Sequence, residues 1–228
     1  MTAARGSGAA AAAVRVGACV GAFLPALHGL PVLDDKPVIE TARARNPSDF
    51  TGRGVLHPQS RSASWALYAA QAGRFENPAR PEDEPFHAGY RIVSLLLHGA
   101  ACAGAWRLLG RLGRPPGERT LAIAWFAVHP LQGGAVPYIA AQSGILCAAL
   151  SLWALAFYLG AADAPAGSAA RHARGAAAGA LALLAVLAKE PGLLLPAAAA
   201  LCEWMRRGRG TAGRRTGARR CTWSAPIR

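Results

Sequence analysis

The sequence predicts an all-α fold: a polytopic helical membrane protein. Two observations support this prediction. The hydrophobic content is 53% with a mean hydropathy of +0.21, and the apolar residues are arranged in long runs. Several runs reach or approach the length of about 20 residues that a helix needs to cross a bilayer. Every backbone polar group in lipid needs an internal partner, so such runs are interpreted as helices. By this criterion we expect about five to six membrane segments.

The apolar runs divide the chain into four parts. We predict an N-terminus with a first membrane helix in 1–33, an extracytoplasmic loop in 34–89, membrane helices with short loops in 90–204, and a disordered arginine-rich tail in 205–228. The runs themselves occupy 9–33, 90–112, 120–139, 145–162 and 176–204. Arg15 interrupts the first run, which favours a retained helix over a cleaved signal peptide.

The predicted loop 34–89 carries eight of the chain's twelve acidic residues. Within it, the stretch SRSASWALYAAQAG at 60–73 predicts a short amphipathic helix. Trp65 and Tyr68 suit a helix that lies at the level of the lipid headgroups. The alternative is a helix that packs against the membrane domain, and the two interpretations are compatible.

The last apolar run, 176–204, allows two interpretations. It forms either one spanning helix or a hairpin of two short arms, 176–188 and 192–204, that turns at the sequence KEPG. Pro191 breaks the helical hydrogen-bond pattern at that point. We favour the hairpin, because it leaves the arginine-rich tail on the same side as the other arginines.

The arginines lie mainly between the apolar runs, and their positions predict the orientation of the chain. Short cytoplasmic loops carry an excess of Lys and Arg, which places the loops at 107–119 and 171–174 inside. Three polar pairs then share the extracytoplasmic side: Asp34–Asp35, His129–Pro130 and Lys189–Glu190. Basic loops beside membrane helices also account for the net charge of +13, so we predict no nucleic-acid partner.

Signatures of soluble enzymes and of metal sites are absent from the sequence. It contains no serine-hydrolase elbow, P-loop, zinc-protease motif or dinucleotide-binding fingerprint. Its five cysteines include no pair at CxxC spacing, which argues against zinc and redox centres. We therefore predict no cofactor and no metal ligands, while the sequence leaves a requirement for a divalent metal open.

Asp34 and Asp35 are the first candidates for chemistry, since they directly follow the first apolar run in VLDDKPVIE. Adjacent carboxylates at a membrane surface suit a general base for a hydroxyl or a ligand for a hard cation. The alternative is an ordinary acidic turn at the end of a helix.

Three basic side chains are candidates for binding an anion on the same side. Arg91 begins the second run, His129 ends the apolar part of the third, and Lys189 with Glu190 lies inside the last. Ionisable residues within membrane segments are costly and are functional candidates by default. The alternatives are an interfacial arginine, a structural histidine, and a lysine that pairs with a carboxylate of another helix.

Four stretches in this order resemble one family: LDDKPVIE, GYRIVSLLLHG, WFAVHPLQGGAVPYIAAQSGIL and LAKEPGLLLP, which together cover about 32–204. They are similar to the membrane domain of the transmembrane and tetratricopeptide-repeat O-mannosyltransferase-like proteins, which belong to the GT-C class of glycosyltransferases. The resemblance implies a GT-C-like N-terminal portion in a bacterial inner membrane or the endoplasmic reticulum, with its active side extracytoplasmic.

The resemblance also implies an activity. Such enzymes transfer a sugar, here expected to be mannose, from a polyprenyl-phosphate lipid to a hydroxyl of a protein or glycan acceptor. Asp34 or Asp35 would supply the base. The remaining roles fall to Arg91, His129 and Lys189 at the donor phosphate, with Glu190 and Gln142 in support.

The chain also departs from the family pattern. Gly133–Gly134 stands where the family has a Thr-Glu pair, Gln142 where it has arginine, and Ser94 where asparagine is frequent. Tetratricopeptide repeats are absent from the sequence. These departures imply a truncated and divergent member, and they keep a second hypothesis in place: a non-catalytic, degenerate membrane scaffold related to the family.

Overall fold

The computed structural model describes residues 33–44, 61–75 and 87–220, together with Gly21, Phe23 and Leu27. The predicted first helix in 1–33 therefore lies almost entirely outside the described residues. Seven α-helices have their bounds within the described part, where no strand occurs. They are α1 Asp35–Ala44, α2 Ser62–Phe75, α3 His87–Arg111, α4 Pro116–Val128, α5 Gln142–Ala162, α6 Ala169–Ala188 and α7 Leu195–Arg220. The all-α prediction is confirmed for these residues.

Two helical segments among the described residues are long and apolar enough to cross a bilayer. They are Ala88–Arg111 and Ile139–Ala162, each of 24 residues, with mean hydropathies of 1.5 and 2.0. At a rise of about 1.5 Å per residue, each measures about 36 Å. α4 has only 13 residues, because the third apolar run leaves the α-helical path after Val128. A short 3₁₀ helix, Pro130–Gly134, follows His129.

α5 lies at the centre of the bundle, where it packs along α3 and α6. The approach of α3 to α5 depends on small residues, as is common between membrane helices. A Cβ atom on Gly104 would lie only 3.0 Å from Cδ1 of Trp153. One turn earlier, the indole Nε1 of Trp153 donates to the Ala100 carbonyl oxygen at 2.9 Å. Packing and a partly buried hydrogen bond thus fix the register of these two helices.

Basic side chains gather where α3 and α5 end and α6 begins, a region we call the arginine end. Arg111 donates to the Asp163 carboxylate at 3.1 Å, and Arg174 donates to the Gly160 carbonyl oxygen at 2.8 Å. Arg206 of α7 also binds Asp163. The start of α6 and Arg206 of α7 therefore lie at the same end, and the two helices run in opposite directions.

The run 176–204 is thus a helical hairpin in the structure, with a break at Lys189. A 3₁₀ turn, Glu190–Leu194, joins α6 to α7. Gly192 makes this turn possible, since a Cβ there would lie 2.6 Å from the backbone of Ala185 and Val186. Both arms are longer than the short ones predicted, since α6 has 20 residues and α7 has 26.

The predicted disordered tail, 205–228, differs from the structure over most of its length. α7 continues to Arg220, and 221–228 lie outside the described residues. Extending a helix adds one hydrogen bond per ordered residue without a new nucleation step. Arginine, the most frequent residue in this segment, is also a good helix former. Low complexity alone was therefore a poor indicator of backbone structure here.

Candidate functional site

Asp34 and Asp35 occupy different environments although they are adjacent. Leu33, with φ of 47°, turns the chain through the left-handed region into α1. Asp35 is fully buried, and its Oδ1 accepts a hydrogen bond from the backbone N–H of Ala140 at 3.0 Å. Asp34 stays exposed. The Asp35 carboxylate thus makes a structural contact within the chain, and the Asp34 carboxylate remains accessible to solvent.

Tyr138 is the side chain that meets Asp34. Its hydroxyl donates to Oδ2 of Asp34 at 3.2 Å and accepts from the backbone N–H of Asp34 at 3.3 Å. Partial burial raises the pKa of the Tyr138 hydroxyl, and the charges of Asp34 and Asp35 act in the same direction. The phenol therefore stays protonated and can donate to the carboxylate at neutral pH.

Arg91 lies beneath this pair, with only 3% of its surface exposed. Its Nε donates to the Pro137 carbonyl oxygen at 3.2 Å, and one Nη donates to that of Leu27 at 3.4 Å. The Asp35 carboxylate is the acidic group that interacts electrostatically with this guanidinium. Arg91 thereby positions the 137–140 segment that carries Tyr138. The predicted contact with a donor phosphate remains a prediction.

Gln142 is the centre of a buried polar network. Its Nε2 donates to the Tyr90 carbonyl oxygen at 2.7 Å and to Oγ of Ser94 at 3.0 Å, while its Oε1 accepts from Gln71 at 2.8 Å. Beside it, the Tyr68 hydroxyl donates to the Ile139 carbonyl oxygen at 3.0 Å. Burial raises the pKa of Tyr68 to about 12. These contacts attach α2 to the start of α5.

Glu190 forms an ion pair at the tip of the hairpin. Its two carboxylate oxygens accept from Nε and Nη2 of Arg61 at 2.9 and 3.3 Å. Hydrogen bonding to Arg61 lowers the pKa of the Glu190 carboxyl below its ordinary range. A second contact joins the same two segments: Oγ of Ser64 donates to the Ala188 carbonyl oxygen at 2.8 Å. The start of α2 thus holds the hairpin tip at the same end as Asp34.

Lys189 points toward the first turn of α5. Its Nζ lies 3.5 Å from the position that a Cβ on Gly144 would occupy. Within the part of the chain that the structure describes, this ammonium makes no hydrogen bond or ion pair. A cation beside the positive end of a helix dipole is unfavourable unless an anion joins it. Among the predicted phosphate-binding residues, Lys189 is therefore the one whose charged group is most available to a ligand.

His129 stands apart from these groups. Its Nδ1 accepts from the backbone N–H of Leu131 at 3.2 Å, and its ring packs edge-on against Trp125 at 5.1 Å between centroids. Among the described residues, no hydrogen bond or ion pair links it to Asp34 or Asp35. The end of α4 lies beside His98 of α3, whose Nε2 is 3.1 Å from the Ala127 carbonyl oxygen, about two helical turns along α3 from Arg91.

Sequence reasoning missed several residues of this end of the bundle. Tyr138, Gln71 and Arg61 were not singled out, and Tyr68 was expected only at the level of the lipid headgroups, yet each contacts a predicted residue or its helix. Isolated tyrosines and glutamines have no spacing signature. The proximity of Tyr138 to Pro137 was the one available signal, since Pro137 marks irregular backbone beside the site.

No protein-family model, curated protein or solved structure matches this chain. Among the described residues, no group of three or more His, Cys, Asp or Glu side chains is placed to hold a metal ion. Function is therefore inferred from the geometry of the site itself.

Proposed function

We propose that the chain is a membrane-embedded domain that transfers a sugar, with mannose expected, from a polyprenyl-phosphate lipid to an acceptor hydroxyl. The transfer takes place at the extracytoplasmic end that holds Asp34. The exposed Asp34 carboxylate, oriented by Tyr138 beside the buried Arg91, is the observation on which the proposal rests.

The surface of the bundle supports membrane insertion. Large apolar side chains are more than half exposed on four helices, namely Leu96, Leu121, Trp125, Leu183, Leu201 and Trp204. Soluble monomers rarely expose so much apolar surface, which a bilayer would cover. The multi-pass arrangement, with the arginine end cytoplasmic, follows from the positive-inside bias of the loops.

The chemistry assigns distinct roles to the two carboxylates. Asp34 takes the proton of the acceptor hydroxyl as that oxygen bonds to the anomeric carbon, and the bond to the lipid phosphate breaks. The leaving phosphate keeps the bonding electron pair and is stabilised by Lys189, whose ammonium is uncommitted. Asp35 keeps the chain in place through Ala140. The polyprenyl-phosphate sugar is a substrate, and no cofactor enters these steps.

Transfer of radiolabelled mannose from a polyprenyl-phosphate donor tests this proposal, with the full chain in vesicles. We expect Asp34→Asn to lower transfer about 100-fold or more, since general-base catalysis contributes at least that much. Asp35→Asn keeps an oxygen that accepts from Ala140 and should retain most activity. Wild-type rates in Asp34→Asn would refute the assignment of the base.

A specific observation favours the non-catalytic scaffold as a second candidate. Asp35, Glu190 and Gln142, all predicted site residues, are engaged in structural contacts within the chain. If the wild-type chain neither transfers sugar nor binds the polyprenyl-phosphate donor while it remains folded in vesicles, the scaffold is the better explanation.

A further inference from the structure

A cavity lies at the arginine end of the bundle, between α3, α4 and α5. Its volume is about 530 Å³. Its lining combines the aromatic side chains of Trp106 and Trp153 with the cationic side chains of Arg107, Arg111 and Arg119, and it also includes Gly110. Along α3, the twenty residues from Arg91 to Arg111 correspond to about 30 Å. The cavity is therefore separate from the end that holds Asp34.

The positive charge in this cavity is only partly neutralised. Arg111 pairs with Asp163 at 3.1 Å. Arg107 and Arg119 have no carboxylate partner in the part of the chain that the structure describes. They stack on tryptophans instead, with the Arg119 guanidinium 4.5 Å and that of Arg107 6.0 Å from the ring centroids. Two guanidinium groups thus remain available for an anion.

Arg119 provides an independent indication of a ligand. Its Nε is buried and has no hydrogen-bond partner. Leaving a buried donor unpaired is costly, and such a group in a folded protein calls for an explanation such as an ion. The terminal Nη1 lies against α3, since a Cβ on Gly110 would lie 2.6 Å from it. The guanidinium therefore lies beside Gly110 with unused donor capacity.

We propose that this cavity binds a phosphate group, as carried by an anionic phospholipid headgroup. Guanidinium groups match phosphate geometry with paired hydrogen bonds and retain their charge at all relevant pH values. Tryptophans are enriched at the level of lipid headgroups, where Trp106 and Trp153 would then lie. The volume falls within the range of known ligand pockets, about 300–1,000 Å³.

Binding is tested by calorimetry on the full chain in a non-ionic detergent. The probes are phosphatidylglycerol, a galactosyl diacylglycerol with the same acyl chains but no phosphate, and inorganic phosphate. We expect saturable binding of phosphatidylglycerol and none of the galactolipid. Binding of inorganic phosphate with the same dependence on Arg107 and Arg119 would support the phosphate site with free phosphate as its source.

The variants separate a built site from general positive charge. Arg119→Gln and Arg107→Gln should each weaken phosphatidylglycerol binding about tenfold or more, because charge-assisted hydrogen bonds are lost. Arg171→Gln removes the same charge from an exposed position and should leave the affinity unchanged. Equal weakening in all three variants, or in none, would overturn the proposal.

Gly110→Ala provides a test that keeps every charge. The added methyl group must displace the end of the Arg119 side chain, which is flexible, so the fold should tolerate it. Gly99→Ala on the same helix meets nothing within 4 Å and is the matched control. We expect about tenfold weaker binding in Gly110→Ala alone, with an unchanged thermal transition. Wild-type affinity in Gly110→Ala would count against the site.

Discussion

At the residue scale, the candidate site depends on which of two adjacent side chains is buried and which is exposed to solvent. Asp34 and Asp35 are equivalent in the sequence, but one is exposed beside Tyr138 and the other is buried against Ala140. Asp34 lies in the turn just before α1 and Asp35 is the first residue of that helix, so the two side chains meet different partners. The sequence could name the pair, and only its packing could distinguish the two members.

Replacing Asp35 with alanine is expected to destabilise the chain by about 1–3 kcal/mol, because the Ala140 N–H loses its acceptor in a partly buried position. Asp34→Ala removes an exposed carboxylate and should have a much smaller effect. Chemical unfolding in detergent, followed by circular dichroism, measures both variants. Equal destabilisation by the two substitutions would contradict the structural role of Asp35.

The ion pair of Glu190 with Arg61 is expected to make stability depend on pH. Because the folded state lowers the pKa of Glu190, the pair stabilises the fold above the unfolded pKa of about 4.3, and this contribution is lost as pH falls through the folded value. Thermal melts of wild type and Glu190→Gln should therefore converge as the pH falls below the ordinary pKa of a glutamate carboxyl, about 4.3.

Salt provides the control for this prediction. The side chains of Arg61 and Glu190 are 43% and 41% exposed, so the difference between wild type and Glu190→Gln at neutral pH should shrink as ionic strength rises. A difference that is independent of both pH and salt would show that Glu190 acts through packing.

At the scale of elements, the turn between α6 and α7 and the docking of α2 position the site. α2 was predicted as an amphipathic helix, and the structure has it at Ser62–Phe75. Its buried residues include Ser64, Tyr68 and Gln71, which hydrogen-bond to the bundle. A hydrophobicity pattern could not identify this face, because polar residues form the interface.

Gly192→Ala is expected to destabilise the hairpin by about 1–3 kcal/mol, since a methyl group would collide with the rigid backbone of α6. Gly179→Ala on α6 is the matched control, because nothing lies within 4 Å of its added Cβ and alanine favours helix by up to about 1 kcal/mol. Unfolding in detergent compares the two. Tolerance of alanine at Gly192 would show that the turn can move away.

At the scale of the whole molecule, the two ends of the bundle differ in charge. The Asp34 end holds the candidate catalytic pair, and the arginine end holds the cavity lined by Arg107 and Arg119. The orientation of these two ends relative to a membrane remains a prediction from the arginine-rich loops. Two of the five to six predicted membrane segments meet the length and hydropathy requirement among the described residues.

Thiol labelling tests the proposed orientation in a variant whose five native cysteines are replaced. Lys36→Cys and Arg171→Cys each place a single thiol at an exposed position, one near each end. In intact cells, a membrane-impermeant maleimide should label residue 36 and reach residue 171 only after permeabilisation. Labelling of both thiols in intact cells would contradict a bundle that spans the membrane.

The sequence by itself determined the helical class, the break at Lys189 and the opposite placement of acidic and arginine-rich segments. These features are local: apolar run length, a proline and glycine at a turn, and charge between runs. The tertiary structure alone decided that Asp34 is exposed while Asp35 is buried, that Tyr138 contacts Asp34, and that Arg107 and Arg119 share a cavity with two tryptophans. Such contacts join residues that are distant in the chain, or they distinguish adjacent residues whose side chains point in different directions. They depend on the relative rotation of packed helices, which no local pattern encodes.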